Sequence, residues 1–151
     1  MVDIVTPKAR SQMMSGIRGT NTRPELMLRK GLHALGFRYK IHDKKLSGKP
    51  DMVFPRYNAV LFVNGCFWHA HDCHLFKWPK TNITFWHEKI TANIERDKKN
   101  TRQLKEDGWR VLHVWECALK GKTKISIDFI LKSCALWLRG NELEMDIRGR
   151  E

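Results

Sequence analysis

A chain of 151 residues suits one compact domain, and 42% apolar residues is enough to bury a sizeable core. Its 28 Lys and Arg against 16 Asp and Glu leave a formal charge of +12, a field that concentrates polyanions and makes nucleic acid the first partner to consider. A membrane role is disfavoured because no apolar run approaches the ~20 residues needed to span a bilayer. The opening Met1-Val-Asp-Ile-Val-Thr-Pro lacks the order of a secretory signal, so the expected compartment is the cytoplasm and the four cysteines are expected reduced.

Residues 1–20 carry Lys8, Arg10 and Arg18 but few large apolar groups, and read as a basic arm ahead of a domain over 21–140 and a tail over 141–151. Thr22-Arg23-Pro24-Glu25 matches a capping box with proline in the tolerant first turn. Leu28, Leu32 and Leu35 then supply a helical stripe that Gly36 ends. Phe37, Tyr39 and Ile41 alternate with Arg38 and Lys40 as a strand does. A turn through Ser47-Gly48-Lys49-Pro50 leads to Asp51 and the short run Met52-Val53-Phe54. Ala59 to Val63 reads as a strand buried on both faces. Thr84 to Asp107 has a charged helical pattern with Ile90, Ile94 and Leu104 inward, and Gly108 stops it. Arg110 to Trp115 is a further strand and Ile125 to Leu138 a last helix. Strands interleaved with helices imply an α/β sandwich around a mixed sheet.

Between the strands ending at Val63 and Trp115 lies a knot of cysteine and histidine. Cys66, His71 and Cys73 fall within eight residues, and Cys117 follows the later strand. Zinc takes four tetrahedral thiolate and imidazole ligands in closed structural sites. Such a site would staple the loop to the sheet, although His69 and His74 compete as ligands. The same spacing also fits reduced, buried cysteines beside surface histidines. Cys134, inside the last helix, reads as core.

The stretch Gly65-Cys66-Phe67-Trp68-His69-Ala70-His71-Asp72-Cys73 resembles the signature of the very short patch repair (Vsr) endonucleases. Lys49-Pro50-Asp51, Phe85-Trp86, Asn93-Ile94-Glu95-Arg96-Asp97, and Gly108-Trp109-Arg110-Val111 through Trp115-Glu116-Cys117 fit the same family, so the likeness runs roughly from Arg10 to Leu138. The resemblance implies a restriction-endonuclease-like three-layer fold, with a mixed central sheet flanked by helices. It also implies nicking of duplex DNA on the 5′ side of the thymine in a T:G mismatch, in association with the nucleoid. Cys66, His71, Cys73 and Cys117 then correspond to a structural Zn2+ site. The family further implies partnership with the mismatch-repair protein MutL, and a nickase needs one active site, so a monomer is expected.

Phosphodiester hydrolysis needs a nucleophilic water, charge relief and help for the leaving oxygen, which Mg2+ held by a carboxylate can provide. Asp51, at the start of a short strand, suits that task, and by resemblance the backbone carbonyl of Val63 completes the shell. His69 is the candidate general base, because an imidazole exchanges protons near neutrality. Glu25 is explained by the capping box, yet the family places a carboxylate here beside the active site. Asn64 departs from the resemblance, which implies a histidine that assists the leaving group, or an acid, at this position: an amide donates hydrogen bonds but cannot transfer a proton, which touches the leaving-group step. Opening a base stack costs a few kcal/mol per step, and Phe67, Trp68 and Trp86 match the family's aromatic wedge, with Met14 on the arm entering from the opposite side. Lys89, Asn93 and Arg96 share one helix face suited to base edges and phosphates. Trp109 and Trp115 read as packing residues. Two other readings fit the same residues: a restriction-type endonuclease without mismatch preference, and a non-catalytic zinc-stabilised nucleic-acid-binding module.

Overall fold

A computed structural model describes residues 22–150; the arm over 1–20, and Met14 with it, lies outside the described residues. Helix α1 (Arg23–Ala34) is capped by Thr22, whose hydroxyl accepts from the Glu25 backbone N–H. Strands β1 (Lys40–Ile41), β2 (Met52–Phe54) and β3 (Ala59–Asn64) follow, then the long helix α2 (Ile83–Glu106) and strand β4 (Arg110–Trp115). The short helix α3 (Glu116–Leu119), helix α4 (Ile127–Arg139) and strand β5 (Glu144–Ile147) complete the order.

The five strands form one sheet in the order β1-β2-β3-β4-β5. β1, β2 and β3 pair antiparallel, whereas β3, β4 and β5 run parallel. Both faces are covered, as the unbroken apolar runs of β2 and β3 require. Met52, Phe54, Ala59, Leu61, Leu112 and Val114 pack with Leu28 and Leu32 of α1 and Ile130, Cys134 and Leu138 of α4. The alternate residues Val53, Val60 and Val111 pack with Leu104 of α2 on the opposite face. The expected mixed sheet between helical layers is present.

Three local expectations fail. Leu35 is 46% exposed, because α1 already ends at Ala34 and Leu35 belongs to the turn closed by Gly36. The strand expected from Phe37 shrinks to Lys40–Ile41: Phe37 and Tyr39 are held by ring contacts with Phe54, not by a ladder. Residues 144–147 of the expected tail form β5, and the following segment returns to the interior, where a side chain at Gly149 would collide with the Cys117 carbonyl and Thr123.

Arg110 ties the layers together at one end of the sheet. Its guanidinium lies 4.5 Å from the centre of the Trp137 ring and donates to the carbonyls of Tyr57, Trp137, Leu138 and Glu142. The acceptors on α4 are last-turn carbonyls beyond the reach of the i→i−4 ladder, of which Trp137 also accepts from the Gly140 N–H at 3.1 Å. Arg110→Ala removes the donor to the Tyr57 and Leu138 carbonyls and the stack on Trp137 at once and is expected to cost on the order of 2 kcal/mol in urea unfolding; an unchanged midpoint would refute this role.

The strand directions fix where function can sit. β3 and β4 are parallel and β2 is antiparallel to β3. The start of β2, the ends of β3 and β4 and, through β1, His42 therefore meet at one end of the sheet. Asp51, Val63, Asn64, the 66–73 loop and Cys117 all belong to that end.

Candidate active site and metal centre

The turn before Asp51 is built by Gly48 and Lys49, both left-handed at φ +76° and +51°. Gly48 also needs its missing side chain, since a Cβ there would lie 3.2 Å from the Phe62 ring. Asp51 emerges beside β3, where its Oδ2 accepts from the Val63 N–H at 2.6 Å. The Glu25 carboxylate, 1% exposed, reaches the same place from the first turn of α1. It is hydrogen-bonded to Asp51 and lies 2.6 Å from His42 Nε2. The cap therefore uses Glu25 only through its backbone; its side chain belongs to the carboxylate cluster. Burial pushes the Asp51 carboxyl up to about 7; the Val63 N–H opposes this and the neighbouring Glu25 adds to it. Two acids and an imidazole with ligand atoms all within 4.8 Å of one another form a set that suits a divalent cation.

His69 lies on the loop after β3. Its Nδ1 pairs with the Asp97 carboxylate of α2, an arrangement that assigns the proton to Nδ1 and leaves Nε2 basic. Asn64, 8% exposed, extends toward α2 and donates from its amide to His113 Nδ1 at 2.8 Å. His113 is held neutral by burial, which lowers its pKa, and stacks on Phe62.

The four residues expected to bind zinc come together. Cys66 Sγ and Cys117 Sγ lie 3.5 and 3.6 Å from His71 Nδ1, and Cys73 completes a group whose ligand atoms are all within 4.8 Å. A zinc tetrahedron with Zn–S near 2.3 Å and Zn–N near 2.0 Å has sulfur–nitrogen edges of about 3.5 Å, so the donors fit. Burial, with Cys73 and Cys117 alongside, pushes the Cys66 thiol well above its ordinary range, while burial and then Arg148 lower the His71 imidazole. Two backbone bonds brace the cluster: Cys66 N–H donates to Glu116 Oε1 at 3.1 Å and Gly149 N–H to Cys117 Sγ at 3.2 Å. Trp115 stacks on the His71 ring at 3.9 Å, a packing role as expected. Ala70, left-handed at φ +47°, turns the chain between His69 and His71. His69 thereby faces Asp97 while His71 faces the sulfurs. His74 instead lies beside Thr123, and Cys134 is buried in the core with its thiol pushed up to about 12.

Phe67, Trp68 and Trp86 converge with ring centroids 5.3 to 5.9 Å apart. Phe85, 57% exposed, and Phe76 extend the cluster. The Asn93 amide donates to the Trp68 carbonyl at 3.2 Å and accepts from Arg96, while Lys89 is exposed on the same helix. The stripe is thus partly engaged in holding the aromatic loop.

Sequence reasoning missed His42, Asp97, His113 and Glu116 as neighbours of these groups. His113 did leave a sign, a polar residue inside the apolar run of β4. Asp97 sits one turn beyond Asn93 on the same helix. His42 and Glu116 left none.

The sequence model of the family described as DNA mismatch endonuclease Vsr matches residues 2–75. The type II nicking enzyme V.NmeAIP of Neisseria meningitidis is 48% identical over 122 residues, 81% of this chain and 87% of that protein. The type II nicking enzyme V.XorIIP of Xanthomonas oryzae is 45% identical over 79% of this chain and 88% of its own length. The DNA mismatch endonuclease Vsr of Escherichia coli is 40% identical over 151 residues, covering 99% of this chain and 97% of that one. With that likeness running the length of the chain, the protein belongs to the Vsr family of DNA mismatch endonucleases.

Proposed function

We propose that the chain is a magnesium-dependent endonuclease that nicks duplex DNA on the 5′ side of the thymine in T:G mismatches. The endonuclease class rests on its family and on relatives named for nicking and mismatch cleavage. The observation that carries the mechanism is the meeting of Asp51 and Glu25 at the same end of the sheet as the His69–Asp97 pair.

Asp51, with the Val63 carbonyl, would hold Mg2+, and Glu25 would support it from α1. When bound, the ion supplies charge relief on the scissile phosphate and on the leaving oxygen. His69 takes a proton from the attacking water at Nε2, and Asp97 orients the ring and stabilises the imidazolium that results. Asn64 contributes a hydrogen-bond donor near the leaving oxygen, with one N–H spent on His113. The aromatic trio enters the stack at the mismatch, where opening is least costly. Lys89 and Arg96 meet phosphates, and Asn93 a base edge or the loop it already holds. Zn2+ on Cys66, His71, Cys73 and Cys117 would fix the loop that carries both Phe67-Trp68 and His69.

The test compares nicking of T:G and T:A duplexes of one sequence with Mg2+ supplied. The expected result is a single-strand cut in the T:G duplex and at least tenfold slower cutting of its matched counterpart. Equal cutting of both would move the chain to the restriction-type reading, and no cutting of either to the zinc-stabilised binding module.

A further inference from the structure

The acids of the Asp51 cluster have a role in the reading above; the imidazole beside them has none. His42 is not there by a chance of rotamer. Its backbone N–H donates to the Asp51 carbonyl at 3.2 Å, which continues the β1–β2 pairing by one residue and binds position 42 to position 51. Its φ of +48° is left-handed, an uncommon conformation for a residue with a Cβ, and such backbone collects at functional sites. Nε2 then lies 2.6 Å from Glu25 Oε2, in a group with Asp51 whose ligand atoms are all within 4.8 Å. Glu25 is 1% exposed and the His42 side chain 19%, so the imidazole forms an outer wall of the recess, which Arg29 also borders with its guanidinium 3.7 Å from the same Glu25 oxygen.

We propose that His42 is a nitrogen ligand of the divalent ion held by Asp51 and Glu25, so that this site prefers transition ions such as Mn2+ over Mg2+. The inference rests on the reading of Asp51 as a metal-holding carboxylate and adds a donor to it. Magnesium is suited by oxygen donors and dehydrates reluctantly. An imidazole in the shell favours ions further along the transition series, where nitrogen binds more strongly. Without an ion, the contact between Nε2 and Glu25 is a hydrogen bond. On ligation the neutral ring carries its single proton on Nδ1, and the Nε2 lone pair points at the ion in place of the hydrogen bond to Glu25.

The test is paramagnetic resonance on the protein as purified, with its cysteine–histidine site filled, titrated with Mn2+ alone and no DNA. One Mn2+ is expected to bind in a manner lost in Asp51→Asn, and its electron-spin-echo envelope should be modulated by a directly bound imidazole 14N. Uniform 15N-histidine labelling must convert that signal, a check that needs no variant. His42→Gln should abolish the modulation and weaken Mn2+ roughly tenfold, with a smaller loss for Mg2+ in competition. His69→Gln should keep the modulation. If Mn2+ binds in an Asp51-dependent manner without nitrogen coupling, or if the coupling survives His42→Gln or vanishes in His69→Gln, His42 is no ligand and the carboxylate site stands without it. If Mn2+ binding ignores both Asp51→Asn and Glu25→Gln, the carboxylate site itself falls and the inference with it.

Discussion

Asp51→Asn is expected to abolish nicking and, at pH 8 without magnesium, to raise the melting temperature. The two effects have one origin. A carboxylate buried beside Glu25 is costly to ionise, and burial lifts its pKa from 3.8 to about 7. The folded state therefore holds this proton more tightly than the unfolded chain does, so stability attributable to Asp51 is present below pH 4. It is lost as pH rises from there through about 7. At pH 8 both states are ionised and the folded protein bears the whole penalty, on the order of a few kcal/mol. Asparagine keeps the shape and can still accept from the Val63 N–H, but it carries no charge to desolvate. Its melting curve should stay level between pH 5 and 8 where the native protein's falls. A divalent cation reverses the comparison, because it neutralises the carboxylates in the folded state alone: magnesium should stabilise the native chain and leave Asp51→Asn unmoved. Activity should drop by at least ~10³-fold, the scale of losing about 4 kcal/mol of transition-state stabilisation. Thermal unfolding across pH and a nicking assay read both limbs. Nicking at the native rate, or a lower melting temperature for Asp51→Asn at pH 8, would contradict the assignment.

That balance between charge and burial marks where the sequence could be read and where it could not. The N-cap at Thr22 was legible because capping is local: a hydroxyl meets an N–H three residues on. The alternating burial of β2, β3 and β4 follows from apolar runs that a two-faced sheet demands. Leu35 misled because periodicity does not say where a helix ends, and β5 was hidden by Glu144 and Asp146, two acids among four residues at the sheet's edge. The metal-type ligands were legible as residue types, and family resemblance grouped them. The partners that tune them were not, because each lies far along the chain: Glu25 and His42 are 17 residues apart, His69 and Asp97 28, Asn64 and His113 49. Nothing local fixes such pairs; parallel strand order and the packing of α2 do. Glu25 shows the consequence best. Its local context explained it as a capping residue, family resemblance alone set a carboxylate there beside the active site, and the fold turns it toward Asp51.

Removal of zinc should be the other large perturbation, and its damage should spread beyond the metal. Cys66, His71 and Cys73 lie on the loop after β3, and Cys117 on α3, so the ion would tie a long excursion of chain to the sheet. Without it, Cys66 is a buried neutral thiol packed against other sulfurs, and the loop is held by the Glu116 bond, the Trp115 stack and its contacts with Asn93 and Asp97 of α2, while Gly149 still braces Cys117. Phe67, Trp68 and His69 ride on that loop, so a loosened staple displaces the aromatic trio and the base together. Chelation, or Cys73→Ser, is expected to lower the melting temperature by roughly 10 °C, the shift that about 3 kcal/mol produces in a domain of this size. Nicking should fall well beyond the unfolded fraction, and discrimination between T:G and T:A duplexes should narrow, because the wedge loses its position before the sheet loses its core. Trp115 offers a local reporter: tryptophan fluorescence should change on chelation before the global transition, and Trp115→Phe should diminish that early change, leaving the part due to Trp68 and Trp86. Metal analysis of protein purified without chelator should return about one zinc per chain. A metal-free preparation with native melting, or chelated protein that still separates mismatched from matched duplex, would show that the sulfurs are merely buried and that the loop is held by packing alone.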